Sequence, residues 1–328
     1  MIPRPRERAT GRPHHRAIPR LRERGRAHAG AGDLARIPLA RPRALSRWEP
    51  ECAKVRGMSG KARIVAFANQ KGGVGKSTTT MCTARAAAVY HGARVLVVDM
   101  DPQGNVSSSL VREPIPSDEV TLADALTPGT GISLRDVIRP TVWGGVDLAP
   151  ARATLSVADR ALMAAEFGRE HKLREQLAPE LDNYDLVLID NPPTLLGQLL
   201  TNSLTAANAA VLVTEASQWS GDGLALLGKT INGIRSYHNQ QLEITGVVVN
   251  QWRDTNFSRA AETEIAEGIA RHFPGVPIWL DWRIPQWVDI AEAVENGLAL
   301  DESKKSKLRV LSQDVFRPMA AALLKVPA

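Results

Sequence analysis

The sequence predicts an α/β protein built on a single doubly wound, mostly parallel sheet with helices on both faces. Three observations predict it. Five short runs are continuously apolar and rich in β-branched residues, as strands buried on both faces must be. Stretches of helical character fill the gaps between them. Loops rich in glycine or acid follow three of the runs, at the carboxyl ends where open parallel sheets bind ligands.

The first run is "RIVAFAN", starting at Arg63, followed by a glycine loop and a helix from about Lys76 to Tyr90 that Gly92 closes. "RVLVVD" (Arg94 to Asp99) reads as the next strand, then "DLVLID" (Asp185 to Asp190), "AAVLVT" (Ala209 to Thr214) and "EITGVVVN" (Glu243 to Asn250). Further helices are expected near 154–178, 196–208, 222–237, 257–272, 286–296 and 306–325. No internal repeat is evident. No run approaches the roughly 20 apolar residues that a bilayer-spanning helix needs.

The net charge of +6 is unevenly spread. Residues 1–57 hold 15 Lys and Arg against 5 Asp and Glu, which leaves 26 basic against 30 acidic residues in 58–328. The body is therefore mildly acidic, and overall basicity is no argument for nucleic-acid binding. The segment "MIPRPRERATGRPHHRAIPRLRERGRAHAG" cannot bury enough apolar surface to offset its ordering entropy. Residues 1–57 accordingly read as a disordered Arg/Pro-rich tail, and residues 58–328 as the folded domain. Lacking an apolar h-region, the tail is not a secretory signal. It is a basic arm, a solvated tail, or translation from a start placed upstream of Met58, and the third reading is favoured. Cys52 and Cys82 have no metal-site spacing and fit bland thiols in a reducing compartment.

The stretch "FANQKGGVGKSTTT" (Phe67 to Thr80) carries the chemistry. It is a phosphate-binding loop in which Gln70 replaces the first glycine of GxxxxGK[ST] and a second lysine, Lys71, follows at once. A strand, a glycine loop and a helix N-terminus present successive backbone N–H groups to an anion. Gly72, Gly73 and Gly75, with Val74 between them, let the backbone approach phosphates. Lys76 is placed to reach the β- and γ-phosphates, Ser77 to ligate Mg²⁺ and Thr78 to contact the α-phosphate. Asp190 ends a strand, the natural place for a carboxylate supporting the magnesium. "VVDMDPQGN" supplies Asp99 and Asp101. Only the second clears the sheet, so Asp101 is the candidate for positioning water, and Asp99 is either a further metal candidate or an acid capping the strand.

Together "KGGVGKST", "VDMDPQGN", "LIDNPPTLLGQLLTNSLTAAN", "VDLAPARATLSVADRAL" and "IPQWVDIAEAVENGLAL" resemble the deviant Walker A family of P-loop ATPases, most of all its ParA/Soj branch, over roughly residues 62–325. The resemblance implies ATP and Mg²⁺ as cofactors and a nucleotide-sandwich homodimer in which Lys71 reaches the partner's phosphates. ATP would then assemble the dimer and hydrolysis release it. Asn250, at a strand end, would pair with adenine, and Pro285 and Gln286 would wrap the base. Relatives often carry a "QCEYYALEG"-like stretch after the fourth strand. Here it reads "TEASQWSGDG", with the acid at Glu215, and no contact carries over.

The resemblance further implies slow ATP hydrolysis stimulated by a ParB-like centromere-binding protein, non-specific DNA binding by the ATP dimer, and a cytoplasmic, nucleoid-associated location. DNA-contact candidates are Arg253, Arg259, Arg271, Arg283, Lys304, Lys305, Lys307 and Arg309, interleaved with Trp252, Trp282 and Trp287. Two alternatives stay open. One is a MinD-like ATPase cycling on membranes, which needs a C-terminal amphipathic helix. The tail "VFRPMAAALLKVPA", with Pro318 and small alanines, suits packing on the core better. The other is an ATPase that positions cargo on a protein scaffold.

Overall fold

The structure is a computed structural model that describes residues 61–69, 71–194, 197–216 and 221–325. The tail expected at 1–57, the start of the domain at 58–60, and Gln70 lie outside the described residues.

Among the described residues, seven strands form one sheet in the order β3-β4-β2-β5-β1-β6-β7. Every expected strand is present within a residue or two: β1 (Arg63–Ala68), β2 (Val95–Asp99), β5 (Leu186–Asp190), β6 (Ala209–Glu215) and β7 (Glu243–Asn250). Two strands have no counterpart among the expected runs, β3 (Arg139–Pro140) and β4 (Val146–Ala149). They are too short for a periodic signal, and their antiparallel pairing is the sheet's single departure from parallel order. Pro140 is tolerated because β3 is an edge strand, where no ladder donor is needed on its outer side.

Alternation along the strands feeds two separate cores. Ile64, Ala66, Leu96, Val98, Val187 and Ile189 face one side, and Val65, Phe67, Val95, Val97, Leu186 and Leu188 face the other. The first side is covered by α3 (Leu122–Leu126), α4 (Leu134–Val137), α5 (Leu155–Ala164), α6 (Lys172–Leu177), α7 (Gln198–Ala206), α8 (Gly221–Tyr237) and α9 (Asn256–His272). The second is covered by α1 (Lys76–His91), α2 (Asn105–Leu110), α10 (Val288–Glu295), α11 (Ser306–Leu311) and α12 (Arg317–Leu324). This is the doubly wound arrangement expected.

Helix boundaries show where local chemistry overrides periodicity. The helix expected at 154–178 is two helices, because the chain leaves α5 at Ala164 and turns through Gly168 with φ of 72°. The helix expected at 306–325 contains a π-helical turn, Ser312–Phe316, just before Pro318. Proline lacks the N–H for an ordinary helical bond, and widening the preceding turn accommodates it. The α12 end is held by Arg63, which lies beneath it and donates to the carbonyls of Ala322 (3.4 Å) and Leu323 (3.3 Å) and to that of Lys325. Residues Phe316, Met319, Ala320 and Leu323 are fully buried, so the apolar face of this segment packs on the body as expected.

Candidate nucleotide site

The glycine loop leaves β1 through Asn69, whose side chain ties it to the neighbouring strand. Asn69 Nδ2 donates to the Val213 carbonyl at 2.5 Å, and its Oδ1 accepts from the Lys71 N–H at 3.0 Å. Gly73 and Gly75 have φ of 76° and 85°, the left-handed region that favours glycine. Gly75 is doubly constrained, because a Cβ there would lie 1.8 Å from Asn250 Nδ2. Gly72 has no such restriction, and a Cβ would meet only ordinary contact with Pro193.

The two lysines are held differently. Lys76 is 6% exposed, and its ammonium folds back toward the Lys71 carbonyl at 3.5 Å. Burial pushes its pKa down, against the opposing pull of Asp190 and Asp101. Lys71 is on the outside, with its side chain 54% exposed, and pairs with the Glu215 carboxylate at the end of β6. Sequence reasoning assigned Glu215 no contact.

Behind the loop, Ser77 Oγ donates to Asp190 Oδ2 at 2.5 Å, and Thr80 Oγ1 lies 3.5 Å from Asp190 Oδ1. Asp190 is fully buried, and its carboxyl is pushed well above the usual range, by burial first and by Asp99 second. A hydroxyl and a buried carboxylate are the hard oxygen donors that magnesium takes, and a cation there would offset the unfavourable burial of charge. Among the described residues no cluster of three or more His, Cys, Asp or Glu forms a protein-only cage. A metal at Ser77 and Asp190 would therefore share its coordination with phosphate and water, as magnesium characteristically does.

Asp99 does not join this set. Its Oδ1 accepts from the Asp101 N–H (3.1 Å), and its Oδ2 from the Ser107 N–H (2.9 Å) and hydroxyl (2.7 Å). Ser107 Oγ in turn accepts from the Ala151 N–H at 2.8 Å. Asp99 thus joins the end of β2 to α2 and to the residues following β4, the strand-capping alternative of its two expected roles. Burial pushes its carboxyl up to about 6. Asp101 clears the sheet as expected. It lines the cavity over the loop, with Oδ1 accepting from the Gln103 N–H at 2.9 Å.

The cavity has two connected parts that share Gly73, Gly75, Thr78 and Ala291. One part, of about 530 Å³, lies over Lys76 and Ser77 and is also walled by Gln103, Asn105, Ser108 and Glu295. A second part of about 350 Å³ is walled by Pro285, Gln286, Trp287 and Ile290, among others. Pro285 and Gln286 line this second part together. Asn250 also borders this part, but its amide is engaged: Nδ2 donates to the Val74 carbonyl at 2.8 Å and Oδ1 accepts from the Gln251 N–H at 2.7 Å. Gln251, with φ of 53°, donates from Nε2 to the Gly73 carbonyl at 2.6 Å. Asn250 thus holds the loop through its amide while bordering the second part of the cavity.

The basic candidates divide. Arg283 is fixed in the fold by a bidentate pair with Glu262 (2.7 and 2.8 Å), with its guanidinium 4.6 Å from the Trp252 ring centre. Lys305 and Lys307 both pair with Asp289, and Lys307 also lies over Trp287 at 4.9 Å. Arg259 pairs with Asp254 at 2.7 Å, and Arg309 donates to the Ser303 carbonyl at 2.5 Å. Arg253, Arg271 and Lys304 are exposed. No helix among the described residues is long and apolar enough to cross a membrane.

A glycine loop opening a helix, with a lysine folded inside it and a serine on a buried strand-end aspartate, defines a P-loop nucleotide-binding protein. Similarity to known proteins narrows that class. An AAA domain family model, AAA_31, matches residues 62–244. ParA, the chromosome partitioning protein of Caulobacter vibrioides, is 36% identical over 237 residues, 72% of this chain and 85% of the relative. The sporulation initiation inhibitor Soj of Bacillus subtilis is 36% identical over 187 residues, 57% of this chain and 72% of the relative. Among solved structures, cobyrinic acid a,c-diamide synthase of Mycobacterium smegmatis with bound ADP and magnesium superposes with a TM-score of 0.65 at 29% identity, covering 80% of this chain and 94% of that one. Cyanothece McdA reaches 0.69 at 22% identity, covering 80% and 100%, a likeness of fold. The chain belongs to the ParA/MinD-like family of P-loop ATPases, among relatives that include partition proteins.

Proposed function

We propose that the chain is a partition ATPase that forms a dimer on ATP, binds DNA non-specifically as that dimer, and leaves it after hydrolysis stimulated by a ParB-like partner. The observation that carries the reading is the division between the two lysines. Lys76 is folded into its own loop, where it can serve only the nucleotide of its own subunit. Lys71 is on the outside, where a second subunit's phosphates can reach it. A strongly hydrated ammonium opposite a triphosphate favours the dimer while the γ-phosphate is present.

Within one subunit, backbone N–H groups of 72–77 and the Lys76 ammonium hold the β- and γ-phosphates. Ser77 and Asp190 would hold magnesium, which when bound neutralises phosphate charge as the bond to the leaving oxygen breaks. Asp101 orients water for in-line attack on the γ-phosphorus, giving ADP and phosphate. Pro285 and Gln286 border the base. Arg253 and Lys304 are the foremost candidates for DNA phosphates. The reading places the protein in the cytoplasm on the nucleoid. Burial of the α12 apolar face against the body favours DNA over a lipid surface.

The test is binding to random-sequence duplex DNA with ATP and with ADP across a salt series, using the full chain and residues 58–328 in parallel. Salt-sensitive binding of both in ATP alone is the expected result. Binding that needs residues 1–57, or that ignores the nucleotide, rejects it. No binding in either state turns the search to membrane or protein cargo.

A further inference from the structure

The Lys71–Glu215 pair joins two unlike partners. Glu215 is fixed: it closes β6, stands in register with Asn250 of β7, and is followed by an Ala216 N–H that donates to the Asn250 carbonyl at 3.0 Å. Its side chain is 17% exposed. Lys71 is tethered at its backbone by Asn69, and carries a long flexible stem that is 54% exposed. The carboxylate is an anchor, and the ammonium is the part that can move. One ammonium cannot rest on Glu215 and also lie against phosphates in another subunit, so the two anions compete for it.

We propose that Glu215 is a positioning residue for Lys71, holding the ammonium on its own subunit until a partner's triphosphate draws it away. This rests on the reading that Lys71 bridges the ATP dimer. The γ-phosphate of a triphosphate adds anionic oxygens at the partner's end of the nucleotide and wins the ammonium. A diphosphate lacks the γ-group, and Glu215 keeps it. Glu215 thereby sets the ATP concentration at which the dimer assembles and holds the ADP form apart.

The experiment is sedimentation velocity on the full chain with magnesium, titrating ATP and in parallel ADP, with binding of a fluorescent ATP analogue measured separately. Glu215→Gln, which keeps the shape and removes the charge, should lower the ATP needed for half-assembly by about two- to five-fold, the size of a partly exposed ion pair. Glu215→Asp restores the charge one methylene short, and should fall between wild type and Gln; it decides the matter if the Gln variant does not fold. The gap between variants should narrow as salt rises, which a change in packing would not produce. A half-assembly concentration unchanged or raised in Glu215→Gln overturns the proposal. A wild-type chain that binds the analogue yet stays monomeric at saturating ATP overturns the bridging role of Lys71 itself, and the proposal with it.

Discussion

At the scale of single residues, the two acids of "DMD" have opposite duties, and each makes a prediction. Asp101 faces the cavity and accepts one backbone N–H from Gln103. Asp101→Asn keeps an oxygen for that bond while removing the basic carboxylate. It should leave ATP-dependent dimerisation intact and lower the hydrolysis rate by about 10²-fold or more, measured as phosphate release. A normal rate removes Asp101 from the mechanism. Asp99 is engaged in structure, and its carboxyl is pushed up to about 6 in the fold from an ordinary value of 3.8. Between those values the folded chain binds a proton that the unfolded chain does not. The stabilising contribution is therefore present at low pH and is lost as pH rises through about 6. Asp99→Asn removes this titration, and its own cost, an amide facing Ser107 donors, does not vary with pH. Relative to the variant, wild type should gain on the order of 1 kcal/mol in urea unfolding on going from pH 7.5 to pH 5. A difference that stays flat across that range refutes the assignment.

At the scale of elements, the sheet was legible because its five long strands are continuous apolar runs, and the site because GK[ST] stands between one of them and a helix. What stayed illegible has physical reasons. β3 and β4 are two and four residues long, below the length at which alternation carries information. The π-helical turn before Pro318 is a tertiary response that no local period announces. The loop clamp does have a sequence signal, in the asparagines that follow or close three strands. Asn69, Asn191 and Asn250 stand at the ends of β1, β5 and β7, all at most 5% exposed. A buried asparagine closing a parallel strand must commit its amide to neighbouring backbone. Asn191 does so on the Phe67 carbonyl at 3.0 Å, as Asn69 does on Val213 and Asn250 on Val74. Two of the three, Asn69 through the Lys71 N–H and Asn250 through the Val74 carbonyl, grip the glycine loop itself. The C-terminal segment makes the element-scale prediction. Phe316 is fully buried in the core that α1 shares with the π-helical turn and α12. Phe316→Ala should cost about 3–5 kcal/mol, read as a lower urea midpoint at unchanged slope. A loss under about 1 kcal/mol would mean the segment is dispensable to the fold.

At the scale of the whole molecule, charge decides how DNA can be held. The body carries 26 basic against 30 acidic residues, so no long-range field draws it to a polyanion. Affinity must come from a local face, strengthened when two copies are joined. Several lysines and arginines that look basic in sequence are already neutralised in place: Arg283 on Glu262, Lys305 and Lys307 on Asp289, Arg259 on Asp254. A phosphate that took one of these would first have to displace a carboxylate. Exposed Arg253 and Lys304 are better placed to release counterions. On the partition reading, Arg253→Ala and Lys304→Ala should each reduce the slope of log affinity against log salt by about 0.9 for each phosphate no longer neutralised, doubled if both subunits of the dimer contribute. Arg283→Ala should leave that slope alone and lower the unfolding midpoint, since it strands Glu262 and bares Trp252. The measurement is the salt series on duplex DNA with ATP, run beside urea unfolding for each variant. If Arg283→Ala flattens the slope while Arg253→Ala and Lys304→Ala do not, the DNA face lies around Trp252 and Glu262, and its ion pairs open on binding.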